Sequence, residues 1–133
     1  MKYFALLLLL FFQACSDNAS VNIFNKNITK TKLECMRLVV FPPNEMIESK
    51  LNNLYDFDST CKTKLDVSFK SGITCNSSHN SDKKALSDFP SSYLKIQIMK
   101  PNLAYSYYID LTHDVEAKDV QKAFERIEKD LKL

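Results

Sequence analysis

The pattern of apolar and polar positions beyond residue 33 predicts a series of strands and amphipathic helices. Residues 38–41 form a short apolar run rich in β-branched side chains that stops at a proline pair, which predicts a buried strand. After the prolines, Asn44 is a suitable N-cap for a helix of about three turns. The apolar positions that follow at helical spacing are Ile47, Leu51, Leu54 and Tyr55.

Two later segments alternate between apolar and polar side chains, as half-buried strands do. In the first, the apolar side chains share one parity: Leu65, Val67, Phe69, Ile73 and Cys75. Gly72 lies inside this pattern and predicts a bulge or a tight turn. The second segment predicts an antiparallel hairpin that turns at Pro101-Asn102. Its apolar positions are Leu94, Ile96 and Ile98, then Leu103, Tyr105, Tyr107, Ile109 and Leu111.

The chain ends in a predicted amphipathic helix, with Asp114 as its expected N-cap. The apolar stripe of this helix consists of Val120, Ala123, Phe124, Ile127 and Leu131. The resulting order of strands and helices predicts an α+β fold: a small two-layer sandwich with a mixed or antiparallel sheet and two helices on one face. Residues 76–92 break every periodicity and favour a mobile connection over a functional surface loop.

The N-terminus differs from the rest of the chain. Lys2 precedes an unbroken apolar run from Tyr3 to Phe12. A membrane-spanning helix needs about 20 apolar residues, so this run is too short to span a bilayer permanently. Its length is typical of the apolar part of a secretory signal peptide, and we favour that interpretation over a buried N-terminal helix.

Residues 12–15, FQAC, resemble the lipobox of bacterial lipoprotein precursors, in which a small residue precedes a cysteine that is lipidated. The resemblance covers residues 1 to about 18 and rests on Ala14 and Cys15. It implies a signal peptide over residues 1–14 and acyl chains, such as palmitate, on Cys15. The protein would then be a lipid-anchored protein of the bacterial cell envelope that faces the periplasm, with the inner and outer membranes both open as locations.

Composition divides the remainder into a tether and one domain. Residues 16–32 are rich in Ser, Asn, Thr and Lys, which predicts a flexible tether because such a segment buries little apolar surface. We therefore expect a lipidated N-terminus and tether over residues 15–32, followed by a single α+β domain over residues 33–133.

Charge and motifs argue against several function classes. The 133 residues carry a formal net charge of +2, which does not suggest a nucleic-acid partner. The chain has 1 glycine, too few for a phosphate-binding loop, and no nucleophile-elbow motif. His79 and His113 have no catalytic partner in the sequence and are expected to be solvated. No enzymatic activity, cofactor or metal is predicted.

Three cysteines follow Cys15, and none forms a C-x-x-C motif. In an oxidising periplasm, Cys35, Cys61 and Cys75 would give one disulfide and one free thiol. If the first two strands of the domain run parallel, their N-terminal ends bring Cys35 beside Cys61. If the chain reverses sharply at Gly72, Cys61 pairs more easily with Cys75.

Two smaller features receive structural interpretations. Asp56 and Asp58 lack the later carboxylates of a calcium loop and predict a plain turn. Alternation places Tyr105 and Tyr107 on the core face of the hairpin, so Tyr108 is the tyrosine expected to be exposed.

Two functional hypotheses follow. The first is a non-enzymatic envelope lipoprotein, tethered to a bacterial membrane, that acts as an accessory or assembly subunit. Its partner would be another envelope protein or a cell-wall or lipid component. The alternative is a soluble periplasmic protein, either a small enzyme or an inhibitor. The five basic and five acidic side chains between Glu116 and Lys132 favour a structural C-terminal helix over one that binds anionic lipid.

Overall fold

A computed structural model describes residues 18–73 and 90–133 of the chain. The strands of the described part are β1 (Ser20–Ile23), β2 (Arg37–Phe41), β3 (Lys64–Lys70), β4 (Ser92–Met99) and β5 (Leu103–Leu111). The helices are a 3-10 helix (Lys26–Thr29), α1 (Glu45–Leu54) and α2 (Ala117–Asp130). Cys15, Cys75, His79 and most of the segment predicted to be mobile lie outside the described residues.

The strands form one mixed sheet in the order β1-β5-β4-β3-β2. Strand β2 pairs parallel to β3, and every other pairing is antiparallel. Helices α1 and α2 pack against each other and contact the sheet. This arrangement confirms the predicted α+β class and is consistent with a two-layer sandwich. The β4–β5 hairpin is also as predicted, and the parallel pairing of β2 with β3 is one of the two chain paths that the sequence left open.

The core lies between one face of the sheet and the two helices. Leu65, Ile98 and Tyr105 are cross-strand neighbours on this face, and all three are fully buried. Phe124 and Ile127 of α2 are equally buried against them. Burying an aliphatic or aromatic side chain of this size stabilises a fold by about 1.5–3 kcal/mol, so the alternating pattern and the helical stripe together define the core.

The N-terminal part of the fold corrects the predicted flexible tether. Strand β1 pairs with β5, where Val21 lies opposite Tyr107. Ile28 of the 3-10 helix is buried, and the Leu33 N–H donates to the Lys132 carbonyl at 2.8 Å. Residues 20–33 therefore belong to the domain. Their few apolar side chains suffice because the backbone hydrogen bonds of β5 and of the C-terminus supply the remaining contacts.

Strand β2 also differs from its prediction. The apolar run predicted a strand buried on both faces, but β2 lies at an edge of the sheet, and the Phe41 side chain is 71% exposed. Only Val40 of this strand is buried. Helix α1 covers one face, and the other face looks outward, so a run of four apolar side chains need not indicate a central strand.

The structure tests three local predictions: the N-caps of the two helices and the conformation at Gly72. The Asn44 side chain accepts a hydrogen bond from the Ile47 N–H at 3.0 Å, which confirms it as the N-cap of α1. Asp114 is not the N-cap of α2, because the helix begins after Glu116. Gly72 has φ +67°, and the Ile73 N–H beyond it donates to the Ser91 carbonyl at 2.7 Å, one position out of the β3–β4 register, which supports the bulge over the tight turn.

Candidate interaction site

The outer edge of β2 presents main-chain hydrogen-bonding groups. The Arg37 N–H donates to the Thr63 carbonyl at 2.8 Å, so the main chain of Arg37 faces β3. Because successive residues of a strand direct their main-chain groups to opposite sides, those of Leu38 and Val40 face away from β3. No described segment pairs with this side of β2. The edge therefore offers two N–H groups and two carbonyls to another chain.

A groove of about 320 Å³ runs between this edge and helix α1. Its walls include Leu38 and Val40 of β2, Glu48 and Asn52 of α1, and Phe57 of the following loop. The same two residues of β2 thus line the groove and carry the outward main-chain groups. A chain that hydrogen-bonds to this edge would place every second side chain over the groove.

Exposed apolar side chains lie at the C-terminal end of this surface. Phe41 ends β2 at 71% exposure, and Met46 lies in the first turn of α1. Exposed Pro42 and Pro43 connect the two elements. The apolar run and the proline pair were visible in the sequence, but nothing in it placed β2 at an edge.

A second depression, of about 600 Å³, lies beside the disulfide between Cys35 and Cys61. Their Cα atoms are 6.0 Å apart, and the bond joins the segments that precede β2 and β3. This is the pairing expected if the first two strands of the domain run parallel, as β2 and β3 do. The surrounding charged side chains are Lys32, Lys62 and Lys100 with Glu34 and Asp58.

This depression carries charges of both signs, and one of its carboxylates, Asp58, has a local structural role. The Asp58 Oδ1 accepts hydrogen bonds from the Thr60 N–H at 2.9 Å and the Thr60 hydroxyl at 2.7 Å. These bonds lower the pKa of Asp58 and close the plain turn that the sequence predicted. We assign the depression a structural role around the disulfide.

The described histidine has a partner that the sequence did not reveal. The His113 Nε2 lies 3.0 Å from the Asp119 Oδ2, with the two side chains 41% and 9% exposed. The prediction that His113 is simply solvated is therefore incomplete, because its ring is partly exposed and also contacts Asp119. The pair spans the junction between β5 and α2, and its spacing of six residues matches no motif.

His113, Glu116 and Asp119 could in principle approach a metal ion, because one ligand atom from each lies within 4.8 Å of the others. However, the Asp119 Oδ2 also accepts a hydrogen bond from the Glu116 N–H at 2.9 Å, and Glu116 pairs with Lys118 at 2.8 Å. These contacts are those of a capped helix start. We therefore assign the cluster to the N-terminus of α2.

The tyrosines of the hairpin divide between the two faces as predicted. Tyr105 and Tyr107 are buried in the core, whereas Tyr108 stacks on Tyr93 on the outer face with ring centroids 5.6 Å apart. The Tyr108 hydroxyl donates to Asp110 at 2.7 Å, and this hydrogen bond raises the pKa of Tyr108 to about 12. The Tyr108 hydroxyl therefore has a hydrogen-bond partner within the chain, and the stacked rings lie on the outer face of the sheet.

Comparison with known proteins gives no assignment: no family model matches the chain, and no match is found among curated proteins or solved structures. Within residues 18–73 and 90–133, neither helix combines the length and the apolar character needed to cross a bilayer.

Proposed function

We propose that this protein is a non-enzymatic lipoprotein of the bacterial cell envelope, anchored through acyl chains on Cys15. Its α+β domain serves as an accessory or assembly subunit whose interaction surface is the β2 edge with the adjoining groove. The observation that carries the proposal is the short apolar run from Tyr3 to Phe12, followed within three residues by Ala14-Cys15. Several acyl chains at about 0.8 kcal/mol per buried methylene would hold the domain at a membrane.

The position of β1 makes the proposed anchor a close one. Five residue steps separate Cys15 from Ser20, the first residue of β1. A fully extended chain advances at most about 3.4 Å per residue, so these steps span no more than about 17 Å. The proposed function therefore holds the domain close to the bilayer, rather than at the end of the long tether that the composition predicted.

The sheet order then separates attachment from interaction. Strand β1 lies at one edge of the sheet and β2 at the other, with three strands between them. At about 4.8 Å per strand, the β2 edge lies roughly 19 Å from β1. A partner can therefore reach β2 at the edge opposite the attachment point. This separation supports a binding role for β2 in an anchored protein.

Metabolic labelling with a palmitate analogue in a bacterial host tests the proposal. The full chain should incorporate the label and stay with membranes after a high-salt wash, whereas Cys15→Ala should accumulate as unlabelled precursor. Cys75→Ala is the matched control and should be labelled like the wild type. A wild-type chain that is unlabelled and released with the periplasmic fraction would contradict the anchor and favour the alternative of a soluble enzyme or inhibitor.

A further inference from the structure

The β2 edge has the geometry to pair with a second copy of itself. We propose that two copies of this chain associate through antiparallel β2–β2 pairing centred on Val39, which joins their sheets into one of ten strands. This inference rests on the proposed function only in using β2 as the interaction surface. It does not require the lipid anchor, so the failure of either can be recognised separately.

The main-chain groups fit this pairing. A two-fold axis through Val39 places Leu38 of each copy opposite Val40 of the other. These are the two residues whose N–H and carbonyl groups face the free edge. Residues that exchange both main-chain hydrogen bonds form the hydrogen-bonded pairs of an antiparallel ladder. The axis through Val39 therefore satisfies four N–H groups and four carbonyls with four hydrogen bonds.

The side chains fit the same register. On the outer face of the joined sheet, Arg37 of each copy lies opposite Phe41 of the other. The guanidinium can lie over the aromatic ring, an attraction of about 0.5–1 kcal/mol at an exposed site. Val39 lies opposite its own copy, and no like charges oppose each other along the strand. The exposure of Phe41 in the isolated chain is explained if this ring is covered in the dimer.

The opposite edge of the sheet differs from β2 in its side chains. The Phe24 N–H donates to the Ala104 carbonyl of β5, so Val21 and Ile23 carry the outward main-chain groups of β1, and an equivalent two-fold axis through Asn22 would pair Val21 with Ile23. That register places no charged side chain opposite an aromatic ring. A short edge with polar side chains is also a common way to discourage edge pairing. The comparison favours β2 as the self-associating edge.

Cysteine cross-linking tests the register. Val39 would be a non-hydrogen-bonded pair with its own copy, with Cα atoms about 4.5 Å apart, close enough for a disulfide. Val39→Cys in purified full-length protein, with detergent micelles in excess, should give a covalent dimer whose mapped peptide joins position 39 of both copies. Val21→Cys is the matched control, since it is also a half-buried valine of an edge strand, and it should give only background dimer.

Sedimentation equilibrium tests the contribution of the side chains. Two five-residue edges bury less than a standard interface, so we expect half-dimerisation at roughly tens of micromolar. Phe41→Ser should raise the dissociation constant about 5- to 30-fold, because both symmetric pairs are lost. Phe24→Ser is the control, since Phe24 is 59% exposed beside β1, and it should leave the constant unchanged.

Several results would overturn the proposal. The first is a protein that stays monomeric at 1 mM concentration. The second is equal cross-linking of the Val21→Cys and Val39→Cys variants. The third is a dimer that is weakened by Phe24→Ser but not by Phe41→Ser. A monomer in all these assays would leave the β2 edge to a strand of a different protein.

Discussion

The two edges of the sheet are built in different ways. Strand β2 has five residues, pairs parallel to β3, lies under α1 and is linked through Cys35 to the chain before β3. Strand β1 has four residues, pairs antiparallel to β5 and continues into a 3-10 helix. One edge is secured by a disulfide and a helix, and the other by backbone pairing and a few buried side chains.

This difference shows what sequence patterns record. In the strand–helix–strand unit at the β2 edge, apolar side chains recur with the period of each strand and helix. These elements can therefore be predicted from the local sequence. Strand β1 is stabilised by β5, more than 80 residues away in the chain, and its own residues show no clear period. Edges that depend on distant backbone partners leave little trace in composition.

The largest expected effect concerns the core beneath both edges. Phe124 is fully buried in α2, and its ring centroid lies 6.1 Å from that of Tyr55. Phe124→Ala should lower the free energy of unfolding by about 3–5 kcal/mol, enough to unfold much of a marginally stable domain. Urea denaturation measures this loss, and both edges should lose amide protection together.

The control for this variant is Phe24→Ala, which removes an exposed ring and should change stability by less than about 0.5 kcal/mol. If Phe124→Ala instead retains wild-type stability and loses binding to liposomes, α2 is a membrane-binding element, and the core assigned to it is wrong.

The next effect separates the two edges. Replacing Cys35 and Cys61 by alanine removes the disulfide, whose cysteines are 26 residues apart. The free energy of unfolding should fall by about 3 kcal/mol, because the unfolded chain gains conformational entropy. Hydrogen exchange should show β2 losing more protection than β1, because the bridge lies beside β2. Cys75→Ala should leave both strands unchanged. Equal loss at the two edges would mean that the bridge stabilises the whole domain and not the β2 edge in particular.

Sequence reasoning recovered the parts of the fold that rest on local periodicity. The hairpin and both helices follow from alternation and helical spacing, whereas the parallel pairing with its Cys35–Cys61 bridge was one of two alternatives that the sequence left open. It missed β1 and the exposed position of Phe41, because strand order in a sheet is set by pairing between distant segments. It also missed the His113–Asp119 contact, which depends on the angle at which α2 leaves β5.

A third effect tests whether the β1 side belongs to the fold. Ile28 is buried although its segment reads as a tether, and Ile28→Ala should lower the free energy of unfolding by about 2–3 kcal/mol. Amide exchange in β1 should accelerate more than exchange in β2. The control is Ile23→Ala, since Ile23 is half exposed and should contribute much less. An unchanged Ile28→Ala variant would restore the flexible tether over this segment.

The smallest effect concerns the strand to which β1 is bound. Tyr105 of β5 lies opposite Ile23 of β1, and its hydroxyl donates to the Asp130 carboxylate at 2.7 Å. The Arg126 Nε also contacts this carboxylate, at 3.0 Å. Tyr105→Phe removes one hydrogen bond to a charged group and should cost about 1.5 kcal/mol at neutral pH, measured by urea denaturation. Tyr108→Phe on the outer face should cost less, because its carboxylate partner stays solvated.

The pH dependence gives this last variant a distinct signature. Burial, and then the hydrogen bond to Asp130, raise the pKa of Tyr105 above the ordinary value of 10.0. Above pH 10 the unfolded chain therefore loses this proton while the folded chain retains it, so the stability of the wild type should fall as the pH rises. The slope of stability against pH above 10 should be shallower in Tyr105→Phe than in the wild type. Equal slopes in the two proteins would show that Tyr105 ionises as easily in the folded chain as in the unfolded one, and that its contact with Asp130 does not hold α2 to the β1 side of the sheet.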